Sequence, residues 1–115
     1  MVSACVFCQI VRREIPAQIL LETEEVLAFK DIKPVAPIHI VLIPKKHISS
    51  VMDPQLPTVP SLTAELFAAI QQLMGKEEAK DGFRVVINRG AHAGESVPHL
   101  HLHLIGGREL AWPPG

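Results

Sequence analysis

The stretch His99-Leu100-His101-Leu102-His103-Leu104 alternates imidazole and leucine side chains. Successive side chains of an extended strand point to opposite faces, so this stretch predicts a strand whose leucines enter the core and whose imidazoles share the other face. A half-buried strand ordinarily uses threonine, valine or lysine on its second face. Imidazole at every second position therefore indicates a functional site.

The histidine row has two chemical interpretations. Neutral imidazole is a common metal ligand, although rings spread along one straight strand are too far apart for all three to reach a single ion. Alternatively, His101 is a nucleophile that forms a labile covalent intermediate, while His99 and His103 orient and charge it. The first interpretation predicts a metalloenzyme with its metal on the row, and the second predicts covalent catalysis.

The residues just before the row, 88–96, read Asn-Arg-Gly-Ala-His-Ala-Gly-Glu-Ser. A loop with two glycines exposes backbone N–H groups that can cradle an anion. The amide of Asn88 and the hydroxyl of Ser96 flank this loop. An anion cradle next to a row of imidazoles favours phosphoryl or nucleotidyl transfer.

The length and composition predict one domain without a global charge. A chain of 115 residues, 48% of them hydrophobic, can build one core and is too short for two. The balance of 11 Lys+Arg against 12 Asp+Glu predicts no binding to nucleic acid or to an anionic membrane, so any phosphate-binding charge is local. The lack of a membrane-length apolar run and of a signal region predicts a cytoplasmic protein.

The spacing of apolar residues predicts an α+β fold. Consecutive strands pair by default, which gives an antiparallel sheet with one helix on a face. The predicted elements are a short apolar segment at 10–13, a hairpin of strands 18–22 and 26–30, a strand at 38–44, a helix from about 61 to a stop at Gly75, a strand at 83–88 and the histidine strand. The helix buries its apolar positions, Leu62, Leu66, Ile70, Leu73 and Met74.

The histidine row, preceded by Asn88 and Gly94-Glu95-Ser96, resembles the signature of the histidine triad (HIT) family of nucleotide hydrolases and transferases. Further matches cover nearly the whole chain: Phe29-Lys30-Asp31-Ile32, Ala36-Pro37-Ile38-His39, Ile43-Pro44-Lys45-Lys46-His47-Ile48, and the ending from Gly106-Gly107-Arg108 to Trp112-Pro113-Pro114-Gly115. The ending resembles the Hint-like branch, the purine nucleoside phosphoramidases. His103 stands where the transferase branch has glutamine, which favours hydrolysis.

The resemblance implies a HIT-like antiparallel sheet of about five strands with one main helix, in a two-fold homodimer. It implies a single HIT domain over residues 1–115. Within it, residues 1–9 form an N-terminal Cys-x-x-Cys arm and residues 106–115 form a C-terminal tail near the partner subunit's site. The main helix is expected to line the dimer interface.

The resemblance also implies a reaction. A purine nucleoside phosphoramidate loses its amine as His101 attacks the phosphorus, and water then frees the nucleoside monophosphate from the nucleotidyl-histidine. The expected catalytic residues are His101, His103, His99, His39 and Ser96. The expected nucleotide-binding residues are Phe29, Asp31, Ile32, Asn88, Gly94, Ser96, His101 and His103.

The expected roles within this set differ. Asp31 binds the ribose hydroxyls, and Phe29 and Ile32 wall the base. His103 holds phosphate oxygens, and Ser96 donates toward the leaving nitrogen. A backbone carbonyl fixes the tautomer of the nucleophile, and the chemistry needs no cofactor.

Cys5 and Cys8 are half of a tetrahedral zinc site by their spacing, since two thiolates three residues apart can converge on one ion. They are too close in sequence to staple a domain, although a local disulfide stays open. Some bacterial members of the resembled family complete such a site with histidines, which here are His47 and His99. The expected zinc is structural, and His99 is then assigned to structure before catalysis.

Several positions depart from the pattern or stay open. A carboxylate at Glu95, where the Hint-like pattern commonly has glutamine, repels a phosphate unless it points away or is protonated. His92, Lys45 and Lys46 are expected to be solvated. Two alternative functions are kept: a nucleotide-binding or partner-interaction protein whose hydrolysis is incidental, and a dinucleoside polyphosphate hydrolase.

Overall fold

One antiparallel sheet of five strands organises the chain, with strand order β1-β2-β3-β5-β4. The computed structural model describes residues 4–115, so residues 1–3 of the predicted N-terminal arm lie outside the described residues. The elements are α1 (Val6–Val11), β1 (Ile19–Glu22), β2 (Val26–Lys30), β3 (Ile38–Pro44), α2 (Pro60–Met74), β4 (Phe83–Val86) and β5 (Leu102–Gly106). The predicted α+β fold, with five strands and one main helix, is confirmed.

The central strand β3 separates two apolar layers. Ile40 and Leu42 on one face pack into the core beneath α2, whereas Val41 and Ile43 on the other face pack with Ile10 of α1. This alternation follows from the period of two in a strand, and it buries aliphatic side chains on both faces. The functional residues described below lie on the α1 side of the sheet.

The predicted helix and the leucines of the histidine row form the larger core. α2 ends at Gly75, where a Cβ atom would lie 2.7 Å from the carbonyl oxygen of Gln71, so only glycine fits this close approach. The buried residues are Leu62, Leu66, Ile70, Leu73 and Met74 of α2 together with Leu100, Leu102 and Leu104. Both sequence predictions about this core are therefore confirmed.

The histidine strand is shorter than the sequence pattern predicts. β5 begins only at Leu102, since the backbone N–H of His99 donates to the carbonyl of Val97 in a tight turn next to Pro98. The next amide, that of Leu100, donates to the carbonyl of Ile48 outside the sheet. The prediction of one continuous strand from 99 to 104 is wrong, and the three imidazoles have three different surroundings.

Three other features of the fold differ from prediction: the bounds of two elements and the pairing of two strands. The short apolar segment placed at 10–13 is part of α1, which begins at Val6 and ends at Val11 because Arg13 takes a φ of 62°. β4 ends at Val86 rather than 88. β5 lies between β3 and β4, so those two consecutive strands do not pair.

Neither α1 nor α2 has the length and apolar character needed to span a bilayer, and this holds for the whole described part of the chain, residues 4–115.

Candidate active site

A cleft of about 310 Å³ opens on the α1 side of the sheet. Phe29 forms part of its buried wall, and Ile32 stands at its edge with 90% of its surface exposed. The cleft is lined by every residue predicted to bind nucleotide, namely Phe29, Asp31, Ile32, Asn88, Gly94, Ser96, His101 and His103. Their individual roles stay predictions, although the fold brings all of them to one cavity.

His101 is held in a defined orientation at this cleft. Its Nδ1 lies 2.7 Å from the carbonyl oxygen of His99, which can only accept a hydrogen bond. The proton of the neutral ring is therefore on Nδ1, and Nε2 keeps its lone pair. The tight turn at His99 thus provides a backbone carbonyl of the kind predicted to fix the nucleophile's tautomer.

His39 and His103 form a second hydrogen-bonded unit. The backbone N–H of Val35 donates to Nδ1 of His39 over 3.1 Å, so Nε2 of His39 carries the proton. That Nε2 lies 2.9 Å from Nδ1 of His103 and 3.3 Å from Oδ2 of Asp31. His103 accepts at Nδ1 and carries its own proton on Nε2, which makes it a hydrogen-bond donor at the cleft.

The neutral state of His103 has a physical cause. Burial lowers the pKa of His103 below its ordinary value, with smaller lowering effects from His101 and His39 and an opposing effect from Asp31. At neutral pH the ring is therefore uncharged and donates through one N–H. His101 and His103 thus offer opposite functions to a bound group: a lone pair on one ring and a proton on the other.

Phe7 of α1 is a cleft residue that the sequence analysis missed. Its ring meets that of His101 edge-on, with centroids 5.0 Å apart, and lies 5.8 Å from the ring of Phe29. Val6 and Ile10 of the same helix also line the cleft. The spacing of Cys5 and Cys8 points to a metal or a local disulfide and says nothing of Phe7, although an aromatic residue between the two cysteines is a signal for a packing contact.

The loop over residues 88–96 closes on itself through Glu95. Its Oε1 accepts from the backbone N–H of Gly90 at 2.9 Å and from Nη1 of Arg89 at 3.1 Å. The Gly90 hydrogen bond, assisted by Arg89, lowers the pKa of the Glu95 carboxyl below 4.5. The carboxylate is bound within its own loop, and only 10% of its side chain is exposed.

Replacing Glu95 by alanine is expected to loosen this loop and lower the free energy of unfolding, whereas Glu95→Gln keeps an oxygen for the Gly90 amide and lowers that free energy less. Because the folded-state pKa is lowered, the carboxylate stabilises the fold fully above the ordinary pKa and loses that effect as the pH falls through the lowered value. Urea unfolding at pH 7 and pH 4 measures this change in the free energy of unfolding. Equal acid sensitivity in wild type and Glu95→Gln would contradict it.

The four residues predicted to bind zinc come together beside the cleft. Nδ1 of His99 lies 3.3 Å from Sγ of Cys5 and 3.6 Å from Sγ of Cys8, and Nδ1 of His47 lies 3.2 Å from Sγ of Cys8. All four ligand atoms lie within 4.8 Å of one another. A tetrahedral zinc with its usual bond lengths separates sulfur and nitrogen ligands by roughly 3.5 Å, so these distances fit.

The protonation of His99 also fits a metal ligand. Its Nε2 donates to the carbonyl oxygen of Pro44 at 2.9 Å, which leaves the Nδ1 lone pair facing the sulfur atoms. Burial lowers the pKa of His99 to about 4, so the ring is neutral at pH 7. The ring of His99 thus belongs to the cysteine cluster, while its backbone carbonyl orients His101.

Asp31, His39 and His103 form a second group with metal-like spacing. The Val35 N–H places the proton of His39 on Nε2, the atom that would have to ligate, so its hydrogen bonding opposes metal binding. Among residues 4–115, no group with metal-ligand spacing contains His101 or combines two histidines of the row. The arrangement does not favour a metal held by the row.

The remaining candidate residues are two lysines and His92, which do not line the cleft, and Ser96, which does. Nζ of Lys45 donates to Glu22 at 2.7 Å, and Lys46 and His92 are exposed. Ser96 is exposed at the mouth of the cleft, where a bound ligand can reach it. Lys45 is therefore held in an ion pair with 25% of its side chain exposed, whereas Lys46 and His92 are open to solvent.

Comparison with known proteins identifies relatives of this geometry. The HIT domain profile matches residues 12–110. An uncharacterized HIT-like protein of Synechococcus elongatus is 44% identical over 110 residues, 96% of each chain. A HIT family hydrolase from Legionella pneumophila superposes with a TM-score of 0.90 at 41% identity, over 96% of this chain and 99% of that one. A histidine triad nucleotide-binding protein from Candida albicans superposes with a TM-score of 0.80 at 28% identity, over 96% and 83%.

Proposed function

The chain belongs to the HIT domain family, and from this membership we propose that it is a hydrolase of the Hint-like branch, acting on purine nucleoside phosphoramidates. The observation that carries the proposal is the pairing of tautomers at the cleft. His101 presents an Nε2 lone pair because Nδ1 is bound to a carbonyl, and His103 presents an N–H because Nδ1 accepts from His39. A nucleophile next to a proton donor suits attack on phosphorus.

The proposed first step forms a bond between Nε2 of His101 and the α-phosphorus and breaks the P–N bond to the amine. The leaving amine takes a proton from the hydroxyl of Ser96 or through the imidazoles beside it. The N–H of His103 stabilises a phosphate oxygen, whereas the backbone N–H of Gly94 donates to the carbonyl of Ala91 within its own loop. Water then attacks the nucleotidyl-histidine and returns one proton to the group that protonated the amine, which releases nucleoside monophosphate and restores the free ring.

The remaining cleft residues suit a purine nucleoside. Phe29 and Phe7 provide an apolar wall for the base, and Ile32 covers it from the open side. The carboxylate of Asp31 suits the ribose hydroxyls as hydrogen-bond donors. Asn88 is assigned to the phosphate or the leaving group.

A zinc ion is proposed as a structural component held by Cys5, Cys8, His47 and His99. It supplies a cross-link between the N-terminal arm and two distant segments of the chain, with no part in the reaction. The arm carries Phe7, so the cross-link also supports one wall of the cleft. Catalysis itself is proposed to need no cofactor.

A two-fold homodimer is proposed through the face formed by β4 and α2. Phe83, Val85 and Ile87 expose between 39% and 42% of their surface along the edge strand, and Phe67 of α2 exposes 62%. Apolar residues grouped in this way are typical of an interface. Each subunit is proposed to be a single domain. Its C-terminal tail at 106–115, in which Trp112 is 81% exposed, is proposed to reach the cleft of the partner subunit.

The function is tested by steady-state hydrolysis of an adenosine phosphoramidate beside a dinucleoside polyphosphate. The phosphoramidate is expected to give the higher kcat/KM, with a rate that a chelator leaves unchanged while the protein stays folded. A preference for the dinucleoside polyphosphate would favour that alternative hydrolase. Tight binding of nucleoside monophosphate without turnover of either substrate would favour the binding protein, and a rate that falls with metal removal would favour the metalloenzyme.

A further inference from the structure

The turn that follows β5 braces the loop between β2 and β3. Nη2 and Nε of Arg108 donate to the carbonyl oxygen of Val35 at 3.0 and 3.3 Å. Gly107 takes a φ of +86°, and a Cβ atom there would lie 2.9 Å from Cβ of Pro37. Two adjacent residues of the turn therefore contact the loop of residues 31–37, one by hydrogen bonds and one by close approach.

The loop that Arg108 holds controls a proton position in the cleft. The N–H of Val35 donates to Nδ1 of His39, which forces the His39 proton onto Nε2. That proton faces Nδ1 of His103, so the proton of His103 lies on Nε2. One backbone amide therefore decides which nitrogen of His103 is a donor.

Without the Val35 amide, the protons of His39 and His103 are no longer fixed on their Nε2 atoms. Oδ2 of Asp31 lies 3.3 Å from Nε2 of His39 but 4.0 Å from Nδ1 of His103, too far for a hydrogen bond, so the carboxylate alone does not fix the proton of His103. If His39 carried its proton on Nδ1, its Nε2 lone pair would accept a hydrogen bond from a proton on Nδ1 of His103, 2.9 Å away. His103 would then present a lone pair to a phosphate oxygen, which is repulsive.

We propose that Arg108 is a positioning residue that holds Val35, so that His39 keeps His103 as a hydrogen-bond donor in the cleft. The consequence for turnover rests on the proposed hydrolase function, whereas the tautomer of His103 does not. Arg108 of the tail thus acts on His39 and His103 through one residue of the loop, Val35. The side chain of Arg108 does not line the cleft described above.

Kinetics of tail variants test the consequence for turnover. Arg108→Ala is expected to lower kcat about tenfold with KM within about twofold, and Arg108→Lys to recover part of the loss, because a lysine can still donate to the Val35 carbonyl. Arg84→Ala is the matched control, since Nη2 of Arg84 donates to the tail carbonyl of Ala111 at 2.8 Å without touching residues 31–37. An equal loss in Arg84→Ala would overturn the proposal.

Histidine tautomers provide a readout that does not depend on activity. Long-range ¹H–¹⁵N NMR correlations of the ¹⁵N-labelled full chain are expected to show His103 protonated at Nε2 in wild type. In Arg108→Ala a mixed signal from both tautomers of His39 and His103 is expected, with Arg84→Ala unchanged. Spectra of Arg108→Ala identical to wild type would overturn the proposal even in an active enzyme. A wild type that hydrolyses neither substrate would reject the proposed function alone.

Discussion

Replacing His101 by alanine is expected to lower kcat for the phosphoramidate at least about 10³-fold, because the variant lacks the atom proposed to form the covalent intermediate. In the native chain the His99 carbonyl holds Nδ1 of His101 at 2.7 Å, and the ring of Phe7 meets that of His101 edge-on with centroids 5.0 Å apart. These contacts fix a ring of which 7% is exposed. The other proton donors of the cleft cannot replace a nucleophile.

The matched control for this variant is His92→Ala, which removes an exposed imidazole from the neighbouring loop. It is expected to keep the wild-type rate. Calorimetric titration with a nucleoside monophosphate is expected to show that His101→Ala still binds, since Phe29 and Asp31 are intact. A rate in His101→Ala within tenfold of wild type would exclude His101 as the nucleophile.

Removing the cysteine cluster is expected to give the largest loss of stability. The double variant Cys5→Ser/Cys8→Ser, or a strong chelator acting on wild type, is expected to lower Tm by at least about 10 °C. Structural zinc in small domains contributes several kcal/mol or more, and each 1 kcal/mol shifts Tm by roughly 4 °C at this chain length. The sulfur atoms connect α1 to His47 and His99, which are far away in sequence.

Two measurements accompany the melting curves. Atomic emission is expected to find one zinc per chain in wild type and none in the double variant, and the chelator is expected to leave the Tm of the double variant unchanged. If wild type purifies without metal and its Tm ignores both zinc and chelator, the cluster is a group of packed side chains. Turnover is measured at a temperature at which wild type, chelated wild type and the double variant all stay folded. This measurement separates the loss of thermal stability from any effect on catalysis.

The elements with strong local patterns were predictable from the sequence. The aliphatic run of β3 gave its bounds from Ile38 to Pro44, and the spacing of leucines in α2 identified its buried face. The alternation of the histidine row correctly predicted that Leu100, Leu102 and Leu104 are buried. Each of these follows from the period of a strand or helix against one core.

Features that depend on contacts between residues distant in sequence could not be predicted from such local patterns. Alternation continues through His99, but the backbone there leaves the ladder and bonds to Val97 and Ile48, which no local period reveals. The insertion of β5 between β3 and β4 depends on long-range pairing. α1 has only six residues, too few for a helical period to be recognised.

The sequence predicted which residues line the candidate site better than it predicted the hydrogen bonds and contacts among them. The resemblance to the HIT family supplied every nucleotide-binding candidate, and all of them line one cleft. The sequence did not reveal that Glu95 is bound within its own loop, or that Phe7 contacts His101. Nor did it reveal that a backbone amide at Val35 sets the protons of His39 and His103. These depend on side-chain directions that only the folded chain defines.

During turnover, His101 is expected to become covalently nucleotidylated. Intact-protein mass spectrometry after mixing excess wild-type protein with adenosine phosphoramidate, quenched under alkaline conditions that preserve phosphorus–nitrogen bonds, tests it most directly. The expected product is a transient adduct of one AMP moiety that maps to His101, decays as AMP appears, and is absent from His101→Ala. Turnover of the phosphoramidate with no adduct at any time, or an adduct of equal size in His101→Ala, would contradict it.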